Sequence, residues 1–184
     1  MARFTTAMPW LRSSLIHSSR RSRGNTLKIA KDIPAESYGF RAVEGTQSVG
    51  DLLAHVAYGH KIADEIHRVQ HLSTLVGFDF MELVGRIKGE EAKLSTKEQI
   101  VAALESQGEA FASWLASLSD AFLAERVENF DKNGSRSRFE FLLAPKEHEM
   151  HHRGQLMLME RLLGIVPHLT RERMARAAPA GATR

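Results

Sequence analysis

Two histidines near the C-terminal end of the chain have the spacing of a metal-binding pair. His148 and His152 are four residues apart in the segment 146–155, KEHEMHHRGQ, and residues four apart lie on the same face of a helix, one turn above the other. Two such imidazoles can bind a single divalent ion. Leu156 and Met159 follow on roughly the same stripe, so the pair faces a core rather than water. Burying imidazoles without partners costs free energy, and this placement therefore needs a chemical reason.

A third histidine has a similar position on an upstream helix. Ser48-Val49-Gly50-Asp51 has the form of a capping box, with Ser48 as N-cap and Asp51 three residues on, and it predicts a helix that extends to about Leu72. With a rotation of about 100° per residue, its apolar stripe consists of Leu52, His55, Gly59, Ile62, Ile66 and Val69. His55 lies at the centre of that stripe. Three neutral imidazoles are the ligand set of an open catalytic site, which keeps one position for water or substrate.

The alternative is that these are core histidines satisfied by hydrogen bonds, which is the commoner case for a lone histidine on an apolar face. The four-residue spacing of His148 and His152, together with an inward His55, favours a metal site instead. Neither face offers an obvious fourth ligand for a closed structural site or an inward acid for a general base. Asp51 lies one turn before His55, but capping is the simpler role for it.

Other polar residues of the two helices are interpreted as non-ligands. A second set with helical spacing consists of His60, Asp64, His67 and His71. Because this set shares its face with Lys61 and Arg68, we interpret it as a solvated face. His151 is rotated to the flank of the fourth-helix stripe, where a supporting or interface role is expected. Glu149 and Arg153 are expected to form surface or intersubunit pairs.

Composition limits the class of protein. With 184 residues, 43% hydrophobic and 26% charged, the chain fits one globular domain. Cysteine is absent, so any metal must be held by His, Asp or Glu, and any thiol must come from a substrate. No basic face is interleaved with aromatic residues, which argues against nucleic acid as a partner. No apolar run is long enough to span a membrane, and we expect a cytoplasmic protein.

The pattern of the chain predicts an all-α fold with four long amphipathic helices and no convincing strand. The four helices are predicted to begin at about Pro9, Ser48, Ser95 and Ser137. A short helix is expected over 79–88, Pro145 is expected to kink or restart the fourth helix, and Thr170 is a candidate cap for a short final helix. These elements predict a four-helix bundle.

The ends of the chain are expected to lie outside this bundle. Residues 1–22 are interpreted as an N-terminal extension, residues 23–170 as the bundle and residues 171–184 as a basic tail with a short helix. Met1 to Arg23 is rich in Arg and Ser without acids, like a mitochondrial presequence. We favour the plainer interpretation of a helix after a ragged extension, with the start codon assigned too early.

The sequence resembles the DinB family, a group of small YfiT-like candidate metalloenzymes. The resemblance rests on residues 48–55, SVGDLLAH, and on residues 148–156, HEMHHRGQL, and it continues through residues 162–167, LLGIVP. It covers roughly residues 25–170. It implies a four-helix bundle with up-down-down-up connectivity, often as a homodimer, and a divalent metal on three histidines that match His55, His148 and His152.

The resemblance implies less about the reaction. Similar proteins include transferases and isomerases that use low-molecular-weight thiols, so the expected activity is a thiol-dependent S-transfer to a small-molecule substrate in stress or detoxification. The alternatives are a metal-dependent hydrolase and a stress-induced metal-binding protein without catalysis. Three imidazoles suit zinc, nickel or manganese, and the sequence does not choose among them.

Overall fold

The computed structural model describes residues 9–177, with side chains from residue 12. Its helices are α1 (Pro9–Asp32), α2 (Val49–Tyr58), α3 (Lys61–Asp64), α4 (Phe80–Glu91), α5 (Lys97–Ser117), α6 (Asp120–Ala124), α7 (Arg138–Leu162) and α8 (His168–Ala177). A 3-10 turn (Ala35–Ser37) follows α1, and a π-helical turn (Glu65–Val69) follows α3. α2, α3 and this turn follow one another almost without interruption and form the second bundle helix, so the predicted four long helices are confirmed.

The connectivity of the bundle follows from two hydrophobic clusters, one at each end. The first cluster contains Leu15, Ala63, Phe111, Leu115 and Leu142. The second contains Ile29, Val49, Ile100, Leu156 and Met159. The start of α1 and the start of α7 therefore meet the ends of the second bundle helix and of α5. The fold is the expected up-down-down-up four-helix bundle.

Capping residues set the start of three bundle helices. Ser48 and Asp51 form the predicted capping box of α2, and Ser137 forms one with Glu140 at the start of α7. The box of α5 was predicted one residue too early, because Thr96 is the N-cap and its partner is Gln99. α7 continues through Pro145, so the helix does not restart there, and the alternative expectation of a kink stays a prediction. The final helix begins at His168, so Thr170 does not cap it.

The predicted all-α fold holds, and the structure adds one short hairpin that the sequence did not indicate. Residues Arg126–Glu128 (β1) pair antiparallel with residues Ser135–Ser137 (β2), around the turn that Asp131-Lys132-Asn133-Gly134 encodes. Gly134 has a positive φ of 83° there, which fits the conformational freedom of glycine at a turn. Strands of three residues are too short to give an alternating pattern in the sequence.

The N-terminal part of α1 packs inside the bundle. Leu15 is 2% exposed and Ser22 is 3% exposed, and the predicted boundary at residue 22 falls in the middle of this continuous helix. Residues 1–8 and 178–184 lie outside the described part of the chain, so the predicted extension and tail stay predictions there. Within residues 9–177, none of the helices has the length and hydrophobicity to cross a membrane.

Candidate metal centre

The three predicted ligands meet between the second bundle helix and α7. Nε2 of His148 lies 3.0 Å from Nε2 of His55 and 3.0 Å from Nε2 of His152. Among the described residues, these three form the one group of His, Asp or Glu side chains whose ligand atoms converge, all within 4.8 Å of one another. At metal–nitrogen distances of about 2.0–2.1 Å, the nitrogens of one tetrahedral ion lie roughly 3.3 Å apart. The two 3.0 Å spacings are close to this value and are compatible with a shared ion.

A carboxylate orients the first of these rings. Nδ1–H of His55 donates to Oε1 of Glu91 over 2.9 Å, and the Glu91 side chain is 15% exposed. A carboxylate can only accept a hydrogen bond. His55 therefore carries its hydrogen on Nδ1 and directs the lone pair of Nε2 at the other two rings. Metal-binding histidines have this arrangement, in which the second ring nitrogen donates to a carboxylate or carbonyl.

An amide orients the third ring in the same way. Nδ1–H of His152 donates to the side-chain oxygen Oε1 of Gln155 over 2.8 Å, which leaves the Nε2 lone pair of His152 directed inward. His148 lies between the two lone pairs. A single proton on its Nε2 can bridge only one of the two 3.0 Å contacts. At least one lone pair is thus left facing another nitrogen, and a cation among the three would relieve this repulsion.

A glycine on the opposite helix makes room for the middle ring. A Cβ placed on Gly59 would lie 2.8 Å from Nδ1 of His148 and 3.1 Å from its Cε1. Because real Cβ atoms essentially never approach this closely, any larger residue at position 59 would displace His148. Gly59 was predicted only as part of the apolar stripe, and its role is to admit the ligand ring.

The surroundings of His148 and His152 favour the uncharged form of both rings. Burial, followed by the neighbouring His152, His55 and His151, lowers the pKa of His148 to about 4, against the opposing effect of Glu91. Burial also lowers the pKa of His152, against the opposing effect of its hydrogen bond with Gln155. Imidazoles bind metals in their neutral form. His148 and His152 are therefore in the ligating state at neutral pH.

A cavity of about 250 Å³ adjoins the metal centre. It lies between the second bundle helix, α4 and the first half of α7, and His55, His148 and Glu91 form one end of it. Most of its wall is apolar, made by Ile62, Ile66, Val84, Ile87, Phe141 and Ala144. Such a pocket, with a few polar groups at one end, is the usual form of a small-molecule site.

The interpretation of a solvated face was wrong for three of its four residues. His60, Asp64 and His67 are 4%, 3% and 1% exposed, and only His71 is on the surface. The second bundle helix is wedged between α5 and α7 at this end, since His60 packs on Phe111 of α5 and His67 packs beside α7. None of the three joins the metal centre.

Glu149 and Arg153 do not form the predicted surface pairs, and the alternative of intersubunit pairs stays a prediction. Glu149 is 7% exposed; its Oε2 accepts from Nε of Arg23 over 3.2 Å, and its Oε1 accepts from the hydroxyl of Thr26 over 2.7 Å. Arg153 is half-buried and donates to the hydroxyl of Ser22. These contacts tie α7 to α1 behind the metal centre. His151 is exposed, as its flanking position predicted, and its ring lies 4.9 Å from that of His152.

The role of Glu91 was not visible in the sequence. The short helix was expected to end at residue 88, whereas α4 extends to Glu91. Glu91 meets His55 because α4 packs across α2, and periodicity within one helix carries no information about such a crossing.

The chain has recognisable relatives in sequence and in structure. The model of the DinB family matches residues 1–179. A DinB-like protein from Bacillus cereus superposes with a TM-score of 0.64 at 17% identity, covering 84% of this chain and 94% of that chain. YfiT from Bacillus subtilis, described as a probable metal-dependent hydrolase with an unusual four-helix bundle topology, superposes with a TM-score of 0.65 at 12% identity, covering 90% and 94%. At these identities the structures establish the fold alone. No curated protein matches the sequence.

Proposed function

The chain belongs to the DinB family, and on that premise we propose that it is a metal-dependent enzyme whose His55, His148 and His152 hold one divalent cation. The observation that carries this proposal is the fixed tautomer of the outer two rings. Glu91 and Gln155 accept the Nδ1 hydrogens and so direct two Nε2 lone pairs toward the third ring. A hydrogen-bonded core cluster would place a donor opposite each lone pair, which a single proton on His148 cannot do.

The ligand set limits which metal ions can bind, but several ions remain compatible with it. Three imidazoles and no thiolate suit zinc, nickel or manganese, and they disfavour calcium and magnesium, which prefer oxygen ligands. Because the described residues provide three ligand atoms, a coordination position is left for a water or a substrate. A divalent cation held there would supply a Lewis acid that lowers the pKa of a bound water or thiol.

Hydrolysis is the reaction that the site favours first. The sequence had offered no inward acid to take a proton from water, and Glu91 is such an acid. One of its carboxylate oxygens accepts from His55, the other has no hydrogen-bond donor among the described residues, and the side chain lines the cavity. Glu91 can thus orient His55 with one oxygen and receive a proton with the other. The description of YfiT as a probable metal-dependent hydrolase supports the same class.

Thiol-dependent transfer is the second candidate. The chain contains no cysteine, so a sulfur nucleophile would come from a low-molecular-weight thiol co-substrate, and the open coordination position suits a thiolate. In this reaction His55, His148 and His152 would position the cation, and the cavity would bind the electrophile.

We further propose a role in stress or detoxification and a homodimeric assembly, which the resemblance to the DinB family suggests independently of the geometry of the site. We also propose a cytoplasmic location.

Metal analysis tests the site directly. The protein would be loaded separately with zinc, nickel and manganese, desalted and analysed by mass spectrometry for metal per chain. The wild type should retain about one ion of at least one metal, and His152→Ala should retain almost none. His151→Ala is the matched control, because this neighbouring histidine is exposed and outside the cluster. Equal metal in His152→Ala and wild type would refute the site.

An activity panel then separates the two reactions. Metal-loaded protein would be assayed with neutral esters and amides in the absence of thiol, and with electrophiles in the presence of glutathione, bacillithiol or mycothiol. Turnover without thiol that is lost in Glu91→Gln, at a metal content equal to that of the wild type, supports hydrolysis with Glu91 as base. Turnover that requires a thiol supports transfer. A protein that binds metal and turns over neither panel would indicate a non-catalytic metal-binding protein.

A further inference from the structure

The cavity beside the metal centre contains a fixed hydrogen-bond donor at the end away from the three histidines. His67 lines this end and is 1% exposed. Its Nδ1 lies 3.0 Å from Nη1 of Arg138. A guanidinium has no acceptor and only donates. Nδ1 of His67 therefore accepts, and its hydrogen must be on Nε2.

The partner that fixes this tautomer is itself held rigidly. Arg138 is 3% exposed, and its Nε donates to Oε2 of Glu125 over 2.8 Å. Burial, followed by the charge of Arg138, lowers the pKa of His67 to about 4, so the ring is neutral at physiological pH. The Nε2–H has no acceptor among the described residues, and this atom is not sealed from solvent. Because the ring lines the cavity, a bound molecule can supply the missing acceptor.

The dimensions of the cavity limit the length of such a molecule. The His67 ring packs on Phe141, with ring centroids 5.4 Å apart. His148 is seven residues further along α7, or roughly 10 Å at 1.5 Å per residue. Both Phe141 and His148 line the cavity. A ligand that meets His67 and the metal centre at once must therefore be about 10 Å long.

The charges around the cavity limit the chemistry of that molecule. Arg138 is already engaged by His67 and Glu125, and among the described lining residues the remaining cation is Lys88, which is exposed at the rim. No buried cation is thus available to an anionic group at the His67 end of the cavity, and burying an unpaired charge is costly. The walls are mainly aliphatic and aromatic, which favours an apolar body.

We propose that the cavity binds a neutral, largely apolar small molecule about 10 Å long, with a hydrogen-bond acceptor such as a carbonyl oxygen against Nε2–H of His67 and its reactive group at the three histidines. The placement of the reactive group rests on the proposed metal-dependent function. Recognition of the body and of the acceptor does not require the metal. His67 is therefore a specificity-determining residue, because its Nε2–H donates a hydrogen bond to one end of the substrate.

The test uses a neutral fluorescent ketone of matching length, 6-propionyl-2-(dimethylamino)naphthalene, with the full-length protein. Its 6-propyl analogue lacks the carbonyl oxygen, and its 6-carboxylate analogue is anionic. Fluorescence titration should show blue-shifted binding of the ketone to wild type. The propyl analogue should bind about tenfold more weakly, the size expected for one hydrogen bond, and the carboxylate should bind more weakly still. Equal affinity for ketone and propyl analogue, or no binding of either, would overturn the proposal.

Variants locate the binding and the donor. Ile87→Trp, which fills the cavity from α4, should abolish binding of both neutral probes; unchanged binding would overturn the proposal. His67→Phe keeps an aromatic ring but removes the Nε2–H donor. It should weaken binding of the ketone about tenfold and leave binding of the propyl analogue unchanged. His71→Asn, at an exposed position four residues on, is the control. If circular dichroism shows that His67→Phe does not fold, the ratio of the dissociation constants of the ketone and the propyl analogue for the wild-type protein still tests the proposal.

A metal-free variant separates this inference from the proposed function. His152 does not line the cavity, so His152→Ala should lose metal and still bind the ketone with wild-type affinity. If wild type binds no metal but discriminates between ketone and propyl analogue through His67, the proposed function fails and the cavity inference stands. If wild type binds metal but not the ketone, the metal centre stands and the cavity inference fails.

Discussion

Oε1 of Glu91 lies 2.9 Å from Nδ1 of His55, and this contact joins α4 to the metal centre. The contact fixes the ring tautomer, because the carboxylate accepts the Nδ1 hydrogen. Replacing such a partner of a metal-binding histidine typically lowers metal affinity 10–100-fold. We therefore expect Glu91→Ala to raise the dissociation constant for the preferred metal by that factor, as measured by competition with a chromogenic chelator.

A neighbouring residue gives the control for this prediction. Glu90 is exposed and pairs with Lys93 on the surface, so Glu90→Ala should leave metal affinity unchanged. Equal affinity in Glu91→Ala and Glu90→Ala would mean that the contact with His55 does not support the ligand.

Gly59→Ala should disturb the site from the opposite side. The new Cβ would lie 2.8 Å from Nδ1 of His148, and the ring must move away from its two partners to relieve the clash. We expect at least a tenfold loss of metal affinity. Gly89→Ala is the matched control, since a Cβ there meets nothing within 4 Å and alanine favours a helix by roughly 0.5–1 kcal/mol. Metal affinity that falls equally in both variants would point to a general effect on folding.

The convergence of the three histidines could be predicted from the sequence because each lies at a regular helical position. His148 and His152 are four residues apart on α7, and His55 lies within the first ten residues after a capping box, where the phase of the helix is still certain. Further along the same helix, the predicted assignment of residues to the apolar stripe was wrong. Val69, expected on the apolar stripe, is 63% exposed, because the helix widens into a π-helical turn over Glu65–Val69. Helical periodicity holds only while the helix stays regular.

Residues whose role depends on a second helix could not be predicted. Glu149 has a charged side chain and was expected on the surface, yet it is buried because Arg23 approaches from α1. His67 was expected on the surface because the sequence does not show that α7 covers it. The burial of both residues depends on the packing of helices that are distant in the sequence, and the pattern of a single helix does not predict that packing. The bundle itself was predictable, since four amphipathic helices have few other ways to bury their apolar faces.

Removing the carboxylate of Glu149 should destabilise the bundle. Arg23 is 12% exposed in its side chain and donates also to the carbonyl oxygens of Leu104 and Val56. Glu149→Ala leaves this guanidinium buried without its counter-ion, which costs about 3–5 kcal/mol for a buried pair. Urea denaturation followed by circular dichroism should show that loss in the free energy of unfolding. Glu147→Ala, two residues away and exposed, should change it by about 0.5 kcal/mol or less; a similar loss in both variants would contradict the role of the ion pair.

Glu160 should make the stability of the protein fall as pH rises. This residue is 0% exposed, and both of its carboxylate oxygens have no partner among the described residues. Burial, followed by the nearby Asp32, raises the pKa of Glu160 from 4.5 to about 7. Between these values the folded chain holds a proton that the unfolded chain releases, so stability is full below about pH 4.5 and is lost as pH rises through about 7.

Glu160→Gln removes this dependence, because the amide has a similar shape and does not ionise. The variant and the wild type should have nearly equal free energies of unfolding at pH 4.5. The variant should then become more stable than the wild type by up to about 3 kcal/mol at pH 7.5. Urea titrations at half-unit pH steps would measure the difference. A difference that is constant with pH would mean that Glu160 is ionised in the folded protein throughout, with a counter-charge or water satisfying its oxygens.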